Sequence, residues 1–286
     1  MKLAVDFGAE IISVDSMQAY RGMDIGTAKP SAAVRRRVRH HLIDIADPET
    51  DLTVSAFQRL GRVVIDAPDR PPILIVGGSG LHFRALVDPL EFPPHDAGLR
   101  AEVDRLSHEA ARVELLEADP GAGDVLDIDN PRRVQRALEI HRLTGQTPTE
   151  RASTAAAGAV RRYEPRTPFV AVGVDPGDAL EGRIRRRLTQ MVEAGLIEEV
   201  ARVGPNLGRN AAQAVGYKQL LPVVAGSCSL ADGVESAVAA SLALAKRQRT
   251  FFRRDPRIHW LEWVADPAEL AALARRRIEE HAPWTS

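Results

Sequence analysis

Asp15, Ser16 and Gln18 put a carboxylate, a hydroxyl and an amide directly after the apolar run Ile11-Ile12-Ser13-Val14. A buried parallel strand delivers side chains to a site at its carboxyl edge in this way. A carboxylate there can act as a general base, bind a metal ion or cap a turn. A second run, Pro72-Ile73-Leu74-Ile75-Val76, leads into Gly77-Gly78-Ser79-Gly80 and then an apolar helical stretch over 81–87. Strand, glycine turn and helix together favour phosphate, because the N–H groups opening a helix attract anions. Two polar strand ends on one edge are the expected anatomy of an α/β active site.

Cations complete the chemistry. Arg183 and Arg187 are four apart, so they share a helix face, as do Lys246, Arg249 and Arg253 on a second helix. Two such faces suit a diphosphate, because arginine matches phosphate oxygens with paired N–H groups. Arg132, Arg133 and Arg136 open a further helix, a pattern that suits a nucleic-acid backbone. Solvated helix surface is the competing reading for every one of these groups.

The elements that must carry these residues alternate. A short helix ends at Gly8, a strand follows at 11–14 and a short apolar run at 42–45. A helix spans 57–65, and another strand 72–76. From 96 to about 145 the apolar residues recur every three or four positions, with Asn130-Pro131 opening the second helix there. Residues 147–159 are small and polar and read as loop. The α/β pattern resumes with a strand at 169–174 and one long amphipathic helix from Leu180 to Val200. A helix at 230–253, a strand at 258–261 and a terminal helix opened by Asp266-Pro267 follow. The division expected is an α/β core of residues 1–92 and 163–286 interrupted by a helical insertion at 93–162.

Composition narrows the class. The 286 residues are 44% hydrophobic and 27% charged, enough for a real core. A formal net charge of -1 gives no global nucleic-acid signal. Cys228 is the single cysteine, so no internal disulfide forms, and no zinc ligand spacing is present. No apolar run approaches the ~20 residues of a membrane span. A reducing, cytoplasmic setting without membrane contact is expected. The dipeptide Gly-Lys occurs nowhere, so the chain contains no G-x-x-x-x-G-K-[ST] phosphate loop.

Six blocks occur in one order: VDSMQAYRGMDIGTAKP (14–30), HHLID (40–44), VGGSGLHFRAL (76–86), NPRRVQRAL (130–138), AVGYKQ (214–219) and AKRQRTFFRR (245–254). Together they resemble the tRNA dimethylallyltransferase family, the isopentenyl transferases that modify the adenosine 3′ of the anticodon. The resemblance covers nearly the whole chain. It implies an α/β fold, a P-loop nucleotide-kinase-like parallel sheet with helices on both faces and an inserted helical domain that grips the anticodon stem-loop. It implies transfer of a dimethylallyl group from dimethylallyl diphosphate to adenosine N6, with Mg2+ on the diphosphate, by a monomer.

Residue by residue, the resemblance makes Asp15 the base that takes the N6 proton and puts Ser79, where the family usually has Thr, in the substrate channel. Asp15, Ser16, Met17 and Gln18 match the stretch touching the target nucleotide. Arg100 and the run Arg132, Arg133, Val134, Gln135 and Arg136 match tRNA contacts. So do Gln213, Ala214, Val215, Gly216, Tyr217 and Lys218, and Lys246, Arg247, Gln248, Arg249 and Arg253. Arg183 and Arg249 are the residues chosen for the diphosphate. His82 stands where Tyr is usual and should be tolerated.

The departure is at the front, where the family's first strand and phosphate loop are absent. The loop would also supply the hydroxyl for Mg2+, so no metal ligand is identifiable. The expectation is an N-terminally truncated chain, inactive or nearly so as written and prone to aggregation. The alternatives are a non-catalytic tRNA-binding remnant and an adenine-nucleotide prenyltransferase; a P-loop kinase relative is disfavoured by the missing Gly-Lys.

Overall fold

Ile11, Ile12, Ser13 and Val14 are all buried, as a strand covered on both faces requires. In the computed structural model, which describes residues 1–282, β1 (Glu10–Ser13) is the middle of a parallel sheet. Its neighbours are β2 (His40–His41) and β3 (Ile73–Val76). Ile11 faces His40 on one side, and Glu10 to Ser13 run beside Ile73 to Val76 on the other. Parallel pairing demands crossovers. They are supplied by α2 (Ala32–Arg37) and α3 (Val54–Ile65), preceded by α1 (Lys2–Asp6). Thr53 caps α3, and its buried residues Phe57, Gly61 and Ile65 recur at every fourth position, on the face turned to the core. α4 (Gly80–Val87) leaves directly from the β3 turn.

The chain divides into two compact units, residues 1–86 with 168–286, and residues 87–167. The second unit is helical: α5 (Ala97–Asp104), α6 (His108–Ala118), α7 (Ala122–Val125), α8 (Pro131–Thr144), α9 (Pro148–Ser153) and α10 (Ala155–Arg161). Its core gathers Val103, Ala111, Leu115, Val134 and Leu138. The stretch at 147–159, expected as loop, forms α9 and most of α10. Thr147 and Glu150 make a capping box with Pro148 at the first turn, and Thr154 caps α10. These caps supply the start signals, and the alanines favour the helical state.

In the first unit β4 (Ala171–Val174) pairs in parallel with β5 (Ile258–Leu261). Among the described residues β3 pairs only with β1 and β4 only with β5. Their last residues, Val76 and Val174, are 52% and 41% exposed, so each strand keeps one unpaired edge. The expected single helix over 180–200 is two, α11 (Leu180–Glu193) and α12 (Leu196–Val203), because Gly195 takes the left-handed conformation that ends a helix. α13 (Tyr217–Val224), α14 (Leu230–Phe252) and α15 (Pro267–His281) follow. The main core of this unit joins Tyr20 and Met23 to Ile184, Leu188, Leu196, Val200, Tyr217 and Leu220. The apolar run at 42–45 is irregular, with Leu42 and Asp44 at positive φ. Asp44 is held there by Lys29 and Arg35, 2.6 and 2.5 Å away. No described helix is long and apolar enough to cross a membrane.

Candidate functional site

The β1 end is ordered by its own side chains. Ser13 Oγ donates to Gln18 Oε1 at 2.9 Å, and the Met17 N–H donates to Asp15 Oδ1 at 2.9 Å. Asp15 therefore caps a turn, but only one of its two oxygens is committed to that bond. Gln18 Nε2 donates to the Thr27 carbonyl at 3.0 Å, which ties the strand end to the following loop.

The β3 end lies against it. The Ser79 N–H donates to the Val14 carbonyl at 3.1 Å, and Ser79 Oγ lies 3.4 Å from Ser16 Oγ. Asp15 and Ser79 thus belong to adjoining strand ends on the same carboxyl edge. The glycines have packing reasons. A Cβ on Gly77 would sit 2.7 Å from the Val14 carbonyl carbon. One on Gly78 would strike Gln248, and one on Gly80 the Phe251 ring. α14 presses on this turn, so Gly78 and Gly80 make room for that helix, while Gly77 makes room for the Val14 backbone.

A cavity of about 600 Å³ opens beside Asp15. Asp15, Met17, Gly26 and Thr27 form one wall. α11 forms another with Arg183, Arg186, Arg187 and Gln190. α14 contributes Ser241, Leu244, Ala245 and Gln248, one helical stripe, and Ala214, Val215 and Gly216 complete the lining. Volume and mixed lining are those of a small-molecule site. Ser79, Ser16 and Gln18 are not on the wall; Gln18 reaches it through its bond to the Thr27 carbonyl, and Ser79 lies behind it, against Ser16.

Arg183 and Arg249, expected together, are separated in role. Arg183 faces the cavity, its guanidinium 4.7 Å from the centre of the Trp263 ring. Arg249 is off the wall and donates to Asp175 at 2.7 Å, while Arg253 donates to the other Asp175 oxygen at 3.1 Å. The Arg249 hydrogen bond holds the Asp175 carboxyl below its usual range, opposed by partial desolvation and helped by the Gly177 N–H and the two arginine charges. Stability from this pairing is complete above the unfolded carboxyl value of about 3.9 and is lost as pH falls through the lowered folded value. Asp175→Asn should be less stable than the parent at neutral pH. In acid denaturation followed by circular dichroism, that difference should shrink as pH falls through the lowered folded value of Asp175.

Other expected contacts have different surroundings. Tyr217 is fully buried, so its side chain cannot meet RNA. Burial, then the Glu199 carboxylate beside it, push its hydroxyl far above the usual range. Ala214 is 2% exposed, and Lys218 is tied to Gln213 at 2.9 Å. Lys246 and Arg247 are exposed. His82 meets Phe57 edge-on at 4.6 Å, and burial lowers its pKa, keeping the ring neutral.

In the helical unit Arg132 and Arg133 are exposed, whereas the Val134 side chain is in the core, because α8 turns that position inward. Gln135 is half-buried. Arg136 donates to the Pro93 and Pro94 carbonyls and sits 2.8 Å from the buried Glu139, which also meets His95 and Arg100.

Sequence reasoning missed Arg186, Gly26 and Thr27 on the wall, and it missed Glu199. The last had a readable signal: Leu196, Glu199, Val200 and Val203 share one helical face, so a carboxylate stands at an inward position.

Comparison with known proteins agrees with this architecture. The IPP transferase family model matches residues 18–255. A tRNA dimethylallyltransferase of Streptomyces coelicolor is 43% identical over 289 residues, covering 97% of this chain and 90% of the relative. One from Corynebacterium urealyticum is 43% identical over 288 residues, covering 96% and 85%. Among solved structures, the full-length tRNA isopentenylpyrophosphate transferase of Bacillus halodurans superposes with a TM-score of 0.65 at 34% identity, covering 98% of this chain and 91% of that one. A eukaryotic dimethylallyltransferase acting on tRNA shares the fold, with a TM-score of 0.79 at 21% identity, covering 98% and 75%. The parallel sheet, the polar strand ends and the family match over most of the sequence assign this chain to the IPP transferase family.

Proposed function

We propose that the chain transfers a dimethylallyl group from dimethylallyl diphosphate to N6 of the adenosine 3′ of a tRNA anticodon. One observation carries the reading: Asp15, at a strand end adjoining the Ser79 turn, opens on a cavity also lined by Arg183, Arg186 and Arg187. An exocyclic amine is a weak nucleophile, and a carboxylate within hydrogen-bond reach takes its proton as it attacks the allylic carbon. The allylic C–O bond breaks and diphosphate leaves with the electron pair. Arg183, with Arg186 and Arg187 on the same wall, is suited to stabilise that growing charge. The target base must leave its stack to enter such a cavity. Arg132 and Arg133, exposed on the helical unit, suit phosphate contacts along the stem-loop. A tRNA substrate puts the activity in the cytoplasm, and a monomer suffices.

Among the described residues no three His, Cys, Asp or Glu side chains are grouped to hold a metal ion. Mg2+ keeps several waters and is commonly bound through substrate phosphates with few protein ligands. The Ser16 and Ser79 hydroxyls pair with each other off the cavity wall, so no side chain is assigned to it. Carried on the diphosphate, it would neutralise charge as that group departs.

The test is transfer of labelled dimethylallyl from its diphosphate to an anticodon stem-loop, with AMP as competitor. Label on the adenosine 3′ of the anticodon is expected. Label on AMP in preference to the stem-loop would refute the assignment, and salt-sensitive binding with no transfer would make the chain a binding remnant.

A further inference from the structure

Glu199 lies on α12, only 3% exposed, and belongs to none of the surfaces described so far. Its carboxylate accepts the backbone N–H groups of Asp24, Ile25 and Gly26 at 2.9–3.0 Å. Three successive N–H groups turned to one anion form a concave nest. Here the anion is a side chain from a distant element. The Tyr217 hydroxyl donates to the same carboxylate from α13, and the Arg202 guanidinium stands 3.8 Å off. Gly26 lies on the Tyr217 ring, where an added Cβ would sit 2.4 Å from a ring carbon.

The loop so held is the one that walls the cavity beside Asp15. Gly26 and Thr27 face it, and the Thr27 carbonyl fixes the Gln18 amide. At its far end Lys29, with its side chain 2% exposed, ties the loop to Asp24, Asp44 and the Tyr20 carbonyl. We infer that Glu199 and Tyr217 are positioning residues: the buried carboxylate clamps the Asp24–Ile25–Gly26 backbone, so that the Gly26–Thr27 wall is set to accept an adenine beside Asp15. This rests on the acceptor reading proposed above.

A structural strut and a positioning clamp differ in what they do to base recognition. The experiment compares the chain with Glu199→Gln, Tyr217→Phe and Gly26→Ala. Each is bound to two labelled anticodon stem-loops that carry adenosine or uridine 3′ of the anticodon, with anisotropy as readout well below the melting temperature. The parent should prefer the adenosine stem-loop. Glu199→Gln should lose about tenfold in affinity for that RNA, the worth of a well-placed polar contact, while its affinity for the uridine RNA stays level. Tyr217→Phe, which keeps the ring and the packing, should show a smaller loss in the same direction. If Glu199→Gln does not fold, Tyr217→Phe and Gly26→Ala carry the comparison. Folded variants with a lower melting temperature but the parent's full adenosine preference would overturn the inference. A parent with no preference between the two RNAs would instead remove the acceptor reading beneath it.

Discussion

Asp15→Asn should slow dimethylallyl transfer by about 10²–10⁴-fold, the usual worth of a positioned general base. The substitution is chosen because it spares the structure. Asn keeps an oxygen to accept the Met17 N–H that Asp15 Oδ1 holds at 2.9 Å. The turn, the Ser13–Gln18 bond and the β1 ladder have no reason to change. What disappears is the basic oxygen facing the cavity. Single-turnover transfer should therefore collapse while the melting temperature and stem-loop affinity stay at the parent's values. A variant as fast as the parent would mean that Asp15 is only a turn cap.

Gly77→Ala should be the most damaging small substitution in the first unit. The new methyl would lie 2.7 and 2.9 Å from the carbonyl carbon and oxygen of Val14, and Gly77 has φ +152°. Neither contact is with a flexible side chain, so the two strand ends must part. Overpacking and backbone strain together should cost about 3 kcal/mol. That is a fall of roughly 5 °C in melting temperature for a chain of this size. Ser79 donates to the same Val14 carbonyl, so the Asp15–Ser79 juxtaposition is disturbed directly. Transfer should drop even at temperatures where the variant is folded. Gly182→Ala on α11 is the control. Its nearest contact is the tip of Arg186 at 3.7 Å, and alanine favours the helix. Its melting temperature should equal or exceed the parent's, as scanning calorimetry of the three forms would show.

The strand ends were legible because each joins an apolar run to a polar turn, a pattern visible in sequence at VDSMQ and IVGGSG. Order and type of the main elements followed from the same periodicities. The reason for the glycines was not legible. Gly78 and Gly80 read as a phosphate turn, yet they make room for Gln248 and Phe251, a contact between segments far apart in sequence. Tyr217 read as an RNA contact from its block, but its hydroxyl is spent on Glu199 inside the core. Arg249 has the same history: its helical spacing from Lys246 and Arg253 was right, and the partner, Asp175, came from just past the end of β4. The stop at Gly195 and the helices after Thr147 were written in local capping signals that periodicity alone overlooked.

The most direct measurement is a crystal structure of the protein with an anticodon stem-loop and an unreactive thiolo analogue of dimethylallyl diphosphate. The account predicts the extruded adenine in the cavity, its N6 about 2.6–3.2 Å from an Asp15 oxygen, with the diphosphate against the Arg183 wall. An adenine bound outside that cavity, or with N6 beyond reach of Asp15 even through one water, would contradict it.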